Sequence, residues 1–301
     1  MSTRPSFDLQ SHSTASDGAL EPTEVVALAA RAGVKLLALS DHDTVAGVAA
    51  ALVAGDRLGV RVIPACELSA VDPEGQDLHI LGYGVDPADR ALGERLADFR
   101  ADRDRRAERM VQALHELGFE LDERAIARRR EEGKPVGRPH LAAAVVDCAV
   151  NHPRLRAEGL LESGQFLVAY LIEGRPAFRG REVPSVAEAI AAIHDAGGVA
   201  VWAHPFWDVS ESARVLAAID RFRALGLDGV EVFYITHTRE QTELLADRCE
   251  QLGLLCTGSS DFHGPDHKLF SRFCAHQLFG REPRLGAIAA QFPSASSSSR
   301  R

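Results

Sequence analysis

The chain has 301 residues, of which 46% are hydrophobic and 26% charged, the proportions of an ordinary globular enzyme, and this excludes a largely disordered chain. Its net charge of −9 excludes broad electrostatic binding to nucleic acid but still allows a local basic pocket that holds a phosphate. The five cysteines, Cys66, Cys148, Cys249, Cys256 and Cys274, are odd in number and widely spaced with no C-x-x-C pair, so neither a disulfide framework nor a cysteine zinc site is indicated.

In chain order, no apolar leader precedes the first predicted strand, and no later run approaches the roughly 20 apolar residues of a membrane span. A cytoplasmic protein is therefore expected. The run Asp8-Leu9-Gln10-Ser11-His12-Ser13-Thr14-Ala15-Ser16-Asp17-Gly18 is predicted to form a short strand and a turn. Alternate strand residues share a face, which groups Gln10 and His12 with Asp8, and Gly18 permits the turn that brings Asp17 back. Taken alone, such a polar run suits a capped surface turn equally well.

Residues 22–32 have apolar positions at helical spacing (Val25, Val26, Leu28, Ala29), with Pro22 suited to a first turn and Gly33 to a C-terminal cap. An apolar strand at 34–39 leads into Ser40-Asp41-His42-Asp43-Thr44, followed by a helix near 45–55. A strand at 60–65 has Glu67 just beyond it, and one at 78–85 carries His79 near its start. The rhythm then breaks. Residues 91–182 are predicted to be a mostly helical insertion with a long charged helix at 92–117 and a solvated charge run at 128–132. Its candidate functional piece is the turn Gly137-Arg138-Pro139-His140, which bears two phosphate donors.

After Pro184 the strand-helix alternation resumes. Ser185 with Glu188, and Thr238 with Gln241, have capping-box spacing, so helices are expected at 186–196 and from 238 to 252, with a further helix at 212–225. The strands are 199–202 ending in Ala203-His204-Pro205, 229–234 containing Glu231, and 254–257 leading to Gly258-Ser259-Ser260-Asp261-Phe262-His263. The expected organisation is a barrel formed by 6–90 and 183–283, the insertion at 91–182, and a disordered tail at 284–301.

Repeated strand-helix units imply an α/β fold with a parallel sheet and favour a barrel, whose functional residues sit at the C-terminal ends of its strands. The residues at those positions are His12, Asp17, His42, Glu67, His204, Asp261 and His263. His79 fits least well, because it lies near the start of its strand. Imidazoles and carboxylates suit zinc, iron or manganese, and a closed structural site needs fewer ligands than this. The excess points to two or three divalent ions with bridging carboxylates, an arrangement that activates water and clamps both oxygens in phosphoryl transfer. His115, His152, His194, His267 and His276 match no such pattern and are read as packed or exposed side chains.

These motifs, taken with Gly137-Arg138-Pro139-His140, resemble in order those of the PHP (polymerase and histidinol phosphatase) family, in particular its stand-alone nucleotide phosphoesterase branch, over about residues 6–280. The resemblance implies a distorted seven-stranded βα barrel, a trinuclear centre of manganese, iron or zinc, and hydrolysis of phosphate esters. Its expected ligands are Asp8, Gln10, His12, Asp17, His42, Glu67, His79, His204, Asp261 and His263. Of these, Asp261, His263 and His204, together with His237, are expected to act in catalysis. Arg138, His140, His237 and Arg175 are expected on the substrate phosphates; at Arg175 the resembling proteins often carry lysine. One position departs from the family pattern. Gln10 stands where the first motif normally has a histidine, and a neutral amide is a weak ligand, so that metal position is expected to be loosely held.

The implied substrates are small phosphorylated nucleotides such as nucleoside 3′,5′-bisphosphates, with no membrane and no obligate protein partner. The alternatives are a 5′–3′ exoribonuclease on short RNA, or a metal or nucleotide binder with little turnover.

Overall fold

A computed structural model describes residues 5–131, 136–180 and 184–290. Two compact units emerge, one formed by 1–72, 77–97 and 184–301 and the other by 73–76 and 98–183.

The first unit contains a seven-stranded sheet whose order follows the chain: β1 (Phe7–Asp8), β2 (Leu36–Leu39), β3 (Arg61–Val71), β4 (Asp77–Tyr83), β5 (Val199–Trp202), β6 (Gly229–Tyr234) and β7 (Leu255–Ser259). The ends of the sheet meet: Leu9 N donates to Gly258 O at 3.2 Å, His12 N donates to Phe262 O at 2.8 Å, and Ser11 bridges Phe262 in parallel. The result is a nearly closed barrel. Alternation along the strands divides its apolar residues as the pleat requires. Leu36, Ala38, Ile63 and Ala65 join Leu81, Tyr83 and Val201 in one cluster. Leu37, Leu39 and Val62 pack in another with Val25, Val26, Ala29, Ala51 and Ala54 of α1 (Pro22–Arg31) and α2 (Val48–Leu58).

The expectation of a uniformly parallel sheet needs correction. β4 runs antiparallel to both β3 and β5, with Val71 opposite Asp77 and Tyr83 opposite Val199. The link between β3 and β4, 72–76, is too short for the crossover a parallel pair needs, so the chain has to turn back. β3 is correspondingly longer than the predicted 60–65, and Glu67 lies inside it.

The second unit is helical: α3 (Arg90–Glu116), which begins in the first unit, is followed by α4 (Glu123–Glu131), α5 (Arg138–Val146), α6 (His152–Glu158) and α7 (Ser163–Tyr170). Its own core includes Met110, Leu114, Phe119, Ile126, Leu141, Val145 and Phe166. The charge run expected at 128–132 is mostly exposed over its described part. That part belongs to α4, which Ile126 anchors in that core, while Glu132 lies outside the described residues.

The barrel resumes with α8 (Val186–Asp195), α9 (Pro205–Asp208), α10 (Ser212–Ala224) and α11 (Arg239–Leu252). Both capping boxes form: Glu188 N donates to Ser185 Oγ at 3.3 Å while Ser185 N donates to Glu188 Oε2 at 2.8 Å, and Thr238 and Gln241 repeat the exchange at 3.2 and 2.9 Å. Part of the tail expected from residue 284 is ordered against the barrel. Arg284 pairs with Cys256, and Ile288 of α12 (Ala287–Ala290) is buried in the barrel. Residues 291–301 lie outside the described set. Among the described residues no helix is long and apolar enough to cross a membrane.

Candidate metal centre

β1, β2, β5 and β7 run into polar residues at the rim of the barrel, and at several of these the backbone is bent into an unfavourable region. Asp43, His204 and Asp261 have φ of 53°, 29° and 51°, a conformation that costs non-glycine residues about 1–3 kcal/mol and persists only where the surroundings enforce it. Those surroundings are visible: His204 N donates to Glu231 Oε2 at 2.9 Å, Ser69 N to Asp43 Oδ1 at 3.0 Å, and the Tyr234 hydroxyl to Asp261 Oδ2 at 2.8 Å. Gly18 is required by close approach, since a Cβ there would stand 2.3 Å from His12 O.

At the centre lies Glu67, fully buried. Its Oε1 is 2.8 Å from His79 Nδ1 and 3.2 Å from His204 Nε2, and its Oε2 is 3.1 Å from His12 Nε2 and 3.7 Å from His42 Nδ1. His12 Nε2 also lies 3.1 Å from Asp261 Oδ1. Asp17 faces His12, His42 and His263 at 3.7, 3.7 and 3.6 Å. The antiparallel course of β4 explains His79: the start of this strand lies at the end of the barrel where its neighbours finish.

Three sets converge so that one ligand atom from each residue lies within 4.8 Å of the others: His12, Asp17, His42 and His263; His42, Glu67 and His79; His12, Glu67 and Asp261. Both ring nitrogens of His12, Nδ1 of His42 and Oδ1 of Asp261 are buried without a hydrogen-bond partner. Buried polar atoms left in this state are costly, and groups that come close without hydrogen-bond geometry are what a shared cation satisfies. The donor set therefore fits divalent metal ions.

The electrostatics agree. Burial alone would raise the pKa of Glu67, but His42 and His79, followed by the adjacent rings of His12 and His204, hold it well below its ordinary range. At Asp261 burial is likewise outweighed, chiefly by His263 and His12, bringing it to about 2. Both carboxylates are thus charged and ready to bind a cation. Burial pushes His42 down to about 3, leaving a neutral imidazole with a free lone pair.

Three expected ligands stand outside the three sets: His204, which faces Glu67 from 3.2 Å, Asp8 and Gln10. Asp8 accepts from Ser260 N at 2.8 Å and Cys274 N at 2.7 Å, which ties β1 to the chain beyond β7. Gln10 donates from Nε2 to Glu67 Oε2 at 2.8 Å, while its carbonyl oxygen accepts from Ser259 Oγ at 3.3 Å. The amide therefore orients the central carboxylate. Replacing it in Gln10→His offers an imidazole in its place and is expected to raise the affinity or stoichiometry of bound metal, read by elemental analysis. Identical, tightly held metal in both proteins would show that the amide suffices.

His237, just beyond β6, is buried near the cluster. Its Nδ1 lies 3.0 Å from Val232 O and its Nε2 has no partner, while burial lowers its pKa to about 4. Arg138 and His140 lie in the first turn of α5 and Arg175 in the exposed turn after α7, all in the helical unit. There Gly137 N donates to His140 Nδ1 at 3.0 Å. The structure adds supports that sequence reading passed over: Tyr234 on Asp261, and Asp41, which accepts from Ser13 N, Ser13 Oγ and Ser16 Oγ, each at 2.7 Å. Their only sequence signal is a polar group at the end of an apolar strand.

Comparison with known proteins fits this geometry. The PHP domain model matches residues 8–129. A 5′–3′ exoribonuclease of Haemophilus influenzae is 34% identical over 86% of this chain and 90% of its own length. A 3′,5′-nucleoside bisphosphate phosphatase of Chromobacterium violaceum is 33% identical over 86% of this chain and 87% of its own. A solved structure of an amidohydrolase from Chromobacterium violaceum, with bound sulfate and no metal, superimposes with a TM-score of 0.77 at 30% identity, covering 91% of this chain and 95% of that one. A seven-stranded α/β barrel carrying this carboxylate and imidazole cluster, with relatives that cleave phosphate esters, defines a metal-dependent phosphoesterase. The chain belongs to the PHP family.

Proposed function

We propose that the protein hydrolyses phosphomonoesters of small nucleotides, with nucleoside 3′,5′-bisphosphates as the main substrate class. The observation that carries this reading is the sharing of ligands: His12, His42 and Glu67 each belong to two of the three metal-facing sets, which supports two or three neighbouring manganese, iron or zinc ions rather than a single isolated one. Such ions, when bound, would supply Lewis acidity and lower the pKa of a bound water toward neutrality.

The side chains do the rest. Asp261 and His263 orient the attacking water, Asp261 being fixed by Tyr234. His237 gives its proton to the leaving oxygen, since a doubly charged phosphate beside the ring raises the ring's affinity for a proton. Arg138, His140 and Arg175 bind the second phosphate, because arginine forks match phosphate bidentately. The relative named as an exoribonuclease supports a second reading, removal of nucleotides from the 5′ ends of short RNA.

Phosphate release from a nucleoside 3′,5′-bisphosphate, a short 5′-phosphorylated RNA and an aryl phosphate tests these readings. The bisphosphate is expected to be turned over most efficiently. Arg138→Ala and Arg175→Ala are each expected to cost it about 1.5–3 kcal/mol, the range for a hydrogen bond to a charged group, with a much smaller loss on the aryl phosphate. RNA trimming without bisphosphate turnover would establish the second reading instead.

A further inference from the structure

Trp207 is 53% exposed, an unusual setting for the largest apolar ring, and it lies three residues from His204 in α9. Its backbone is pinned to the site, with Trp207 N donating to His204 O at 2.8 Å and the neighbouring Asp208 Oδ2 standing 3.5 Å from His204 Nδ1. From its ring an aromatic wall runs inward. The Trp207 centroid is 5.6 Å from Phe270 and 6.5 Å from Tyr234. Phe270 lies 5.5 Å from the ring of His263, and Tyr234 bonds Asp261. His267 stacks on Phe270 at 5.0 Å and 17°. Phe270 and Tyr234 are buried while Trp207 and His267 are exposed, so the wall opens outward at these two rings, of which the indole is the larger.

We propose that Trp207 is the stacking platform for the nucleobase of the substrate, and that it makes the phosphoesterase selective for nucleotides over base-free phosphates. The proposal rests on the nucleotide reading given above and extends it. An aromatic wall continuous with the metal-facing residues leads from the reacting phosphate to an open indole, and a planar base stacks on such a face whatever its hydrogen-bonding edge. The inferred occupant is therefore the base of a bound nucleotide.

Two measurements on the metal-loaded enzyme test this. Trp207→Ala is expected to lower the ratio of kcat/KM for adenosine 3′,5′-bisphosphate to that for ribose 5-phosphate by roughly ten- to a hundredfold, the span of a lost base–aromatic stack, with the loss falling on KM and Trp207→Phe restoring most of it. The tryptophan emission is expected to be quenched saturably by adenosine 5′-monophosphate and not by inorganic phosphate. Trp202, the other tryptophan, is fully buried, so the quenching should vanish in Trp207→Phe. Nucleotide turnover at an unchanged ratio in Trp207→Ala overturns the platform and leaves the nucleotide reading standing. Wild-type enzyme that turns over ribose 5-phosphate but no nucleotide overturns both.

Discussion

Stripping divalent ions from the purified protein with a chelator is expected to abolish phosphate release, and returning manganese to restore it. The residues around Glu67 converge on a shared space, and several of their ligand atoms, both ring nitrogens of His12, Nδ1 of His42 and Oδ1 of Asp261, are buried without a hydrogen-bond partner. Among the described residues Glu67 is the one whose loss touches most of the site, as it faces His12, His42, His79 and His204. Glu67→Gln keeps the shape and removes the charge. It is expected to lower kcat/KM by about a thousandfold or more, corresponding to the several kcal/mol that metal ions contribute, with a parallel loss of bound metal. The substitution opens no cavity, so circular dichroism should report an intact fold. Activity within tenfold of wild type, with metal retained, would sink the metal-centred reading.

Asp41→Ala is expected to damage both stability and activity without touching the metal-facing atoms. The Asp41 carboxylate is buried and receives three hydrogen bonds from the loop that carries His12 and Asp17. Removing it strands buried donors, each worth about 1–3 kcal/mol when unsatisfied. A total of about 3 kcal/mol corresponds to a fall in Tm of roughly 5 °C for a chain this long. With the loop loosened, metal affinity should fall as well, because ligands that move must be ordered again on binding. Calorimetry and a metal titration on the same variant check the two effects. An unchanged melting curve would mean that the loop is held by its own turn and by Gly18.

Most of the elements were legible because their signals are local. The capping boxes at Ser185 and Thr238 depend on residues three apart, and the apolar runs that became β2, β5, β6 and β7 are buried on both faces and bounded by turns. The polar residues that follow these runs were legible as candidate ligands for the same reason: nothing apolar is needed at a barrel rim, so charged groups there stand out. His79 was harder to place. Its role depends on β4 running against its neighbours, and strand direction is settled by the short 72–76 link together with pairing partners far away in sequence.

Gln10 shows the same division. As a residue type it reads as a weak ligand; only folding, which brings the segment after β1 beside Glu67 of β3 and Ser259 of β7, turns its amide toward them. Asp8 has the composition of a ligand, yet both its oxygens are taken by backbone amides 252 and 266 positions away. By itself, then, the sequence determined the order of elements, the barrel class and the chemical kind of the site, since periodicity, caps and side-chain type act over a few residues. Tertiary structure alone decided strand direction, which carboxylates face the shared space and which exposed ring stands beside it, because those outcomes depend on contacts between segments that only folding brings together.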